Sequence, residues 1–355
     1  MFIKKQIVSI IGVIIAVIVF IVGFGTYKKS LNPANHNIQN QSDKVKIALV
    51  TDTLVGNNLF IIQAYNELLE LSNEYDIDAF HLEAVDTYTW TEGTRDLCVE
   101  GYSLIIGLGW QATTSFANLS SEYPDVQFTV IDTAGEGENV RGILYESTDG
   151  CFTLGAMMAK AFPDENLFGY IGNYKDVGNF AYETGFRQGV LSVNPEAEFI
   201  IEFANTYSDI DLVREASYKV IEQGASVIMG SVSSSANWGL YDVCLELSKE
   251  GQNVYATGLS IDQTTEENPN IIAGVTKDTA LPVRISVEQF LEGTYESKDM
   301  ILGLSDGGFG VVHLNNINAN YNNKSIITDE VIDFGQEVFN NLNSGKLVYE
   351  QEVFE

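Results

Sequence analysis

The chain has 355 residues, 45% of them hydrophobic, and sets 19 Lys and Arg against 49 Asp and Glu for a formal charge of -30. That length and apolar content can fill about two ordinary domains, while the charge repels phosphate backbones and argues against a nucleic-acid partner. Cys98, Cys151 and Cys244 form no C-x-x-C pair and are odd in number, so they read as buried small hydrophobes. His36, His81 and His313 lack metal-ligand spacing, and neither a metal nor a cofactor is expected.

Lys4 and Lys5 precede an uncharged run from Ile7 to Phe24, long enough to cross a hydrocarbon core when helical. A short basic start before an apolar run is the mark of an exported chain. Residues 1–29 are therefore expected to be a transmembrane anchor or signal segment. The run exceeds the usual signal core, which favours the anchor, although Gly23-Phe24-Gly25 resembles a cleavage site. Residues 30–44, polar and rich in Asn and Gln, have the composition of a tether, and residues 45–355 form the expected extracytoplasmic domain.

From Val45 onward, short apolar runs alternate with helical spacing. Strands are predicted over Val45 to Val50, Ala79 to Ala84, Ser103 to Ile106, Val126 to Ile131, Arg141 to Tyr145, Leu167 to Ile171, Glu198 to Phe203, Ser226 to Met229, Val254 to Ala256 and Ile271 to Val275. Helical patterns fall over Phe60 to Tyr75, Gln111 to Tyr123, Thr153 to Phe162, Phe180 to Val193, Leu212 to Gln223, Leu240 to Lys249 and Ala280 to Leu291. Such alternation builds parallel sheets covered by helices, because parallel neighbours need crossover connections. The expected architecture is α/β with two Rossmann-like parallel-sheet lobes around a central cleft. One lobe is expected to hold about 45–146 and 276–305, the other about 147–275 and part of the C-terminal segment.

Ligands of open parallel sheets gather beyond the carboxyl ends of the strands. The loops there are rich in Gly, Ser, Thr, Asn, Asp and aromatics and poor in Lys and Arg, which suits an uncharged polar ligand. Gly107-Leu108-Gly109-Trp110 lacks the third glycine of a dinucleotide loop and reads as a tight turn. In Gly230 to Leu240 no G-x-S-x-G surrounds the three serines, so they read as a capping loop rather than a nucleophile site. Asp52 and Asp132 each end a strand, where a carboxylate suits ligand reading or loop capping better than a catalytic pair. Phe60, Trp110, Phe180, Tyr207 and Trp238 fall near the expected cleft, where rings on both lobes could stack on a flat heterocycle.

These loops resemble the basic membrane protein family of ABC-transporter substrate-binding proteins, whose best-understood members are purine-nucleoside-binding lipoproteins. The resemblance is carried in order by ALVTD from Ala48, F-x-x-x-A-Y from Phe60, GYSLIIGLGW from Gly101, EYPDVQFTVID from Glu122, YETGFRQGV-x-x-VNP from Tyr182, VIEQGASVI from Val220, Asp262-Gln263, VTK from Val275 and LGLSDGGFGVV from Leu302. It implies a type I periplasmic-binding-protein fold with a hinge of crossing strands. It further implies that Phe60 and Tyr207 sandwich a base, that Asp132 reads its edge, that Asp52 opens the first loop, that Lys277 lies near the sugar and that Ser234 sits in the Gly-rich loop. Two departures stand out: Ile61 replaces the asparagine after the family's phenylalanine, and Ser260 replaces the carboxylate that would hold ribose hydroxyls. Trp110 and Asp262 complete the expected contacts. The lipid-bearing cysteine is absent.

The leading expectation is a non-enzymatic, monomeric, membrane-tethered receptor that hands a nucleoside-like ligand to an ABC permease. The alternative is a regulatory or sensory relative with weakened ligand binding. A cleft hydrolase lacks its histidine partner and nucleophile elbow.

Overall fold

The computed structural model describes residues 44–52, 58–315 and 317–349. The anchor and tether expected over residues 1–44 lie outside these except for Lys44. Among the described residues no helix is long and apolar enough to cross a membrane.

Two six-stranded sheets carry the fold. The first contains β1 (Val45–Thr51), β2 (Ile77–Glu83), β3 (Leu104–Leu108), β4 (Gln127–Ile131), β5 (Val140–Tyr145) and β11 (Met300–Leu302), in the order β11-β5-β4-β3-β1-β2. The second contains β6 (Leu167–Gly172), β7 (Glu198–Phe203), β8 (Val227–Ser231), β9 (Tyr255–Gly258), β10 (Ile271–Lys277) and β12 (Phe309–Val311), in the order β12-β10-β9-β8-β6-β7. Every pairing is parallel except that of β10 with β12. Strands buried on both faces read as unbroken apolar runs; β3, LIIGL, is buried throughout. This is the two-lobed architecture expected from the alternation.

Helices α1 (Leu59–Glu74), α2 (Thr87–Val99), α3 (Gln111–Ser120) and α8 (Ala280–Glu292) belong to the first lobe. Helices α4 (Thr148–Ala161), α5 (Val177–Val193), α6 (Ile210–Glu222), α7 (Trp238–Lys249) and α9 (Asp329–Asn343) belong to the second. Several starts are fixed by a polar cap: Asn58 accepts from the Phe60 N–H, Asp176 from Asn179, and Asp209 from Asp211 and Leu212. The three cysteines are buried and free, as small core hydrophobes.

Three differences from the sequence reading have local causes. Helix α2 buries Trp90, Leu97 and Cys98 with the polar Thr94 among them, a short apolar stripe in an otherwise polar segment, and its start is set by the capping box of Asp86 and Thr89. Strands β11 and β12 are three residues each, too short for a periodic signal. Helix α9 does carry the signal, with Val331, Gly335, Val338, Phe339 and Leu342 inward.

The chain passes between the sheets at Glu146–Ser147, at Asp278–Thr279 and at Gly303–Gly308. These passages are tied to one another. Glu146 N–H donates to Leu302 O at 2.8 Å, Asp278 N–H to Gly308 O at 2.9 Å, and the Tyr145 hydroxyl to Asp278 O at 2.7 Å. The resemblance implied such a hinge of crossing strands.

In the second lobe α4 and α5 meet backbone to backbone across glycines. A Cβ added at Gly189 would lie 2.0 Å from Phe152 O, and one at Gly155 would lie 2.1 Å from Phe186 O. Gly189→Ala should therefore destabilise the protein by about 2 kcal/mol, an overpacking cost, despite the roughly 1 kcal/mol that alanine gains in helix propensity. Urea unfolding checks this as a lower midpoint at constant m value, and an unchanged midpoint would mean that the helices part freely.

Candidate functional site

The centre of the cleft is built around Lys277, the last residue of β10. Its Nζ lies 2.8 Å from Asp132 Oδ1, so a strand of the second sheet is ion-paired to the loop after β4 of the first. The lysine side chain is 12% exposed and the aspartate 34%. Three rings surround the ammonium, with centroids at 4.9 Å for Tyr145, 5.7 Å for Tyr182 and 5.9 Å for Phe60. Desolvated cation–π contacts of this kind contribute up to about 2 kcal/mol each. Burial works against the charge on Lys277, but Asp132 and the Tyr182 hydroxyl outweigh it and hold the amine above its ordinary value. Burial pushes the Tyr182 phenol up to about 12 even with the lysine beside it, so it is a neutral hydroxyl at physiological pH.

The backbone around this group is fixed in uncommon conformations. Asp132 has φ 76° and Ser260 has φ 75°, left-handed values that cost a non-glycine residue about 1 kcal/mol or more. Asp132 N–H donates to Ile143 O at 2.8 Å, which locks its loop over β5. Ser260 O accepts from Lys277 N–H at 2.9 Å, which sets where the lysine leaves its strand. Phe60, in the first turn of α1, is tied to the crossing at Thr279, whose Oγ1 donates to Phe60 O at 2.6 Å. Gln63 Nε2 reaches Lys277 O at 3.4 Å.

Of the residues expected at the site, the structure brings Phe60, Asp132 and Lys277 into one cluster, with Ser260 joined through its backbone. Asp52 lies to the side, its Oδ2 accepting from Gln111 Nε2 at 3.0 Å. Tyr207 is 54% exposed and packs on Tyr174, with centroids 5.0 Å apart. Trp110 is 71% exposed at the start of α3. Ser234 is buried, its O accepting from Gln263 Nε2 at 2.6 Å, while Gln263 Oε1 accepts from the Tyr241 hydroxyl at 2.8 Å. The Asp262 carboxylate holds its own loop, accepting from Thr264 N–H at 2.9 Å and from Asn320 N–H. Phe180, expected near the cleft, lines a groove on the outer edge of the second lobe with Ile201 and Phe203.

Sequence reasoning missed Tyr145 and Tyr182. Tyr145 ends a strand directly before a crossing and Tyr182 opens YETGFRQGV, which were the available signals. The serine loop does not assemble a nucleophile. Ser233 Oγ accepts from Ala236 N–H at 3.0 Å, and Asn237 braces the loop through Val232 N and Gly230 O. His81 and His313 bond through Nε2 to Thr51 and to Ile272 O. The cleft thus offers an amine donor, a carboxylate acceptor, phenol hydroxyls and ring faces, which is a set for recognition.

The family model for PnrA-like ABC-transporter substrate-binding proteins matches residues 44–341. Basic membrane protein B of Borrelia garinii subsp. bavariensis is 24% identical over 84% of this chain and 90% of its own. The transcriptional activator protein med of Bacillus subtilis is 22% identical over 74% of this chain and 80% of its own. An ABC-transporter solute-binding protein from Aeropyrum pernix K1 superposes with a TM-score of 0.72 at 16% identity, over 86% of this chain and 93% of its own, a likeness of fold.

The Asp132–Lys277 pair is expected to show a coupling of about 1–3 kcal/mol in a double-mutant cycle of Asp132→Asn and Lys277→Met read by urea unfolding. A raised amine contributes stability that is complete below the unfolded lysine value of about 10.4 and is lost only as pH rises through the folded value. The coupling should therefore be equal at pH 6 and pH 9. Additive single variants would show that the pair does no work across the lobes.

Proposed function

Because the chain belongs to the PnrA-like family of ABC-transporter substrate-binding proteins, we propose that it binds a nucleoside-like solute between its lobes and presents it to an ABC permease. The observation that carries this reading is the joined cluster of Asp132, Lys277 and the Phe60, Tyr145 and Tyr182 rings. A heterocycle with a polar edge and a hydroxylated appendage matches such a set: ring faces for the plane, a carboxylate for N–H donors, an amine for hydroxyl oxygens. In this reading Phe60 and Tyr207 enclose the base, with Asp52, Trp110 and Ser234 at the periphery and Ser260 and Asp262 shaping the sugar end. The protein works as a monomer without catalysis, and the apolar run from Ile7 to Phe24 tethers it outside the membrane.

One observation favours a second reading. Asp132 Oδ1 and Lys277 Nζ are bonded to each other, so a ligand must either displace that bond or use the second carboxylate oxygen and the amine donors it leaves. A regulatory relative with weakened binding would keep that pair closed, and the similarity to an activator protein from Bacillus subtilis is in keeping with such a role.

Thermal unfolding of residues 45–355 with nucleosides and nucleobases separates the two. A nucleoside at a hundredfold excess over its Kd should stabilise the fold by about 2.7 kcal/mol. Combined Phe60→Ala and Tyr207→Ala should abolish the shift. No shift with any nucleoside or base would reject the receptor reading, and a shift that survives the double substitution would reject the sandwich.

A further inference from the structure

The hydrogen-bonding groups at the centre of the cleft are not all committed to one another. Lys277 carries three N–H donors: one goes to Asp132 Oδ1 at 2.8 Å and a second faces the Tyr182 hydroxyl. Tyr145 gives its O–H to Asp278 O at 2.7 Å, a bond that belongs to the hinge. Tyr182 is different. An ammonium has no lone pair, so beside Lys277 the phenol oxygen can only accept, and its own proton is left to be donated elsewhere. Among the described residues none takes that proton.

The fold, rather than the lysine alone, holds this half-buried phenol in place. Tyr182 lies on the same face of α5 as Gly185 and Gly189. There the helix meets α4 so closely that an added Cβ would come within 2.5 Å of Thr148 O or 2.0 Å of Phe152 O. The ring packs edge-on against Phe309 of β12, with centroids 5.8 Å apart at 67°, and its centroid is 5.7 Å from the ammonium. A hydroxyl fixed in this way is already ordered before a ligand arrives, which lowers the entropic cost of binding. The ammonium that donates to it also polarises its O–H, because chained hydrogen bonds strengthen one another. Two other positions singled out in the sequence offer the cleft little. Ile61 is 1% exposed in the core of the first lobe, and the Asp262 carboxylate is occupied by Thr264 and Asn320.

We propose that Tyr182 is a specificity-determining residue of the cleft: its hydroxyl, accepting from Lys277, donates to an oxygen on the sugar of the ligand. The inference rests on the nucleoside reading above and adds to it a contact from the second lobe that reads the sugar through a neutral donor. A hydroxyl or ring oxygen can accept that proton, whereas a carbon at the same place leaves the phenol without a partner. The cleft therefore distinguishes a nucleoside from the deoxy form that lacks this oxygen.

Calorimetric titration of the full chain tests this, in the native sequence and with Tyr182→Phe, which keeps the ring against Phe309 and removes the hydroxyl alone. The ligands are whichever of adenosine, guanosine, cytidine and uridine the native chain binds, the 2′-, 3′- and 5′-deoxy counterparts, and the free base. Tyr182→Phe should weaken the nucleoside about tenfold, the effect of one hydrogen bond, and leave the free base unchanged. One deoxy counterpart should bind the native chain more weakly by the same factor and lose nothing further in the variant, because each change removes one end of the same bond. Equal weakening of every ligand, the free base included, would make Tyr182 a prop for Lys277 and overturn the proposal. Unchanged nucleoside binding in the variant, or losses from variant and deoxy ligand that simply add, would overturn it as well. A native chain that binds none of the four nucleosides would reject the nucleoside reading and this inference with it, an outcome distinct from a native chain that binds and a variant that binds equally.

Discussion

The chain passes from one sheet to the other at three adjacent places, and the groups in the cleft are positioned by that bundle. Tyr145 ends the strand before the first passage, Lys277 ends the strand before the second, and Thr279 within the second holds the first turn of α1 and with it Phe60. Backbone bonds from Glu146 to Leu302 and from Asp278 to Gly308 keep the passages in register. Since parallel sheets direct their strand ends to one side, the same topology that joins the lobes also collects their polar loops around the joint.

Within that frame the lysine is the costly element. An ammonium taken from water needs a compensating environment, and here it comes from both lobes: a carboxylate and two rings from the first, a phenol from the second. Left-handed backbone at Asp132 and Ser260 adds strain on either side of it. Two of the five left-handed non-glycine residues among the described residues thus flank a buried ammonium, and strain of this kind collects at ligand sites.

The central strands were legible in the sequence because buried parallel strands are unbroken apolar runs, as in β3, read to within two residues; the edge strand β7, EFIIEF, was read to its ends although none of it is fully buried. The crossings and α2 were harder, since their stability comes from capping and from bonds between distant segments. The resemblance led to Phe60, Asp132 and Lys277 individually, but their contact is a product of topology that no local pattern encodes. Tyr182 shows this most clearly. On a helix that periodicity alone identifies, nothing in its neighbours' identities says that it faces a lysine ninety-five positions later. Asp262 shows the converse, a residue in a matching motif whose carboxylate is taken up by Thr264 and Asn320.

Helix α5 links the two regions where polar and aromatic groups collect. One face reaches the cleft through Tyr182 and packs without side-chain clearance on α4 at Gly185 and Gly189; the other borders the groove through Phe180 and Arg187. A glycine contact leaves no compressible side chain between the helices, so any displacement of α5 is passed to α4, whose N-terminus begins directly after the first hinge passage. Because Tyr182 stands on α5 and α4 begins at the hinge passage, that glycine contact ties the position of Tyr182 relative to Lys277 to the hinge itself.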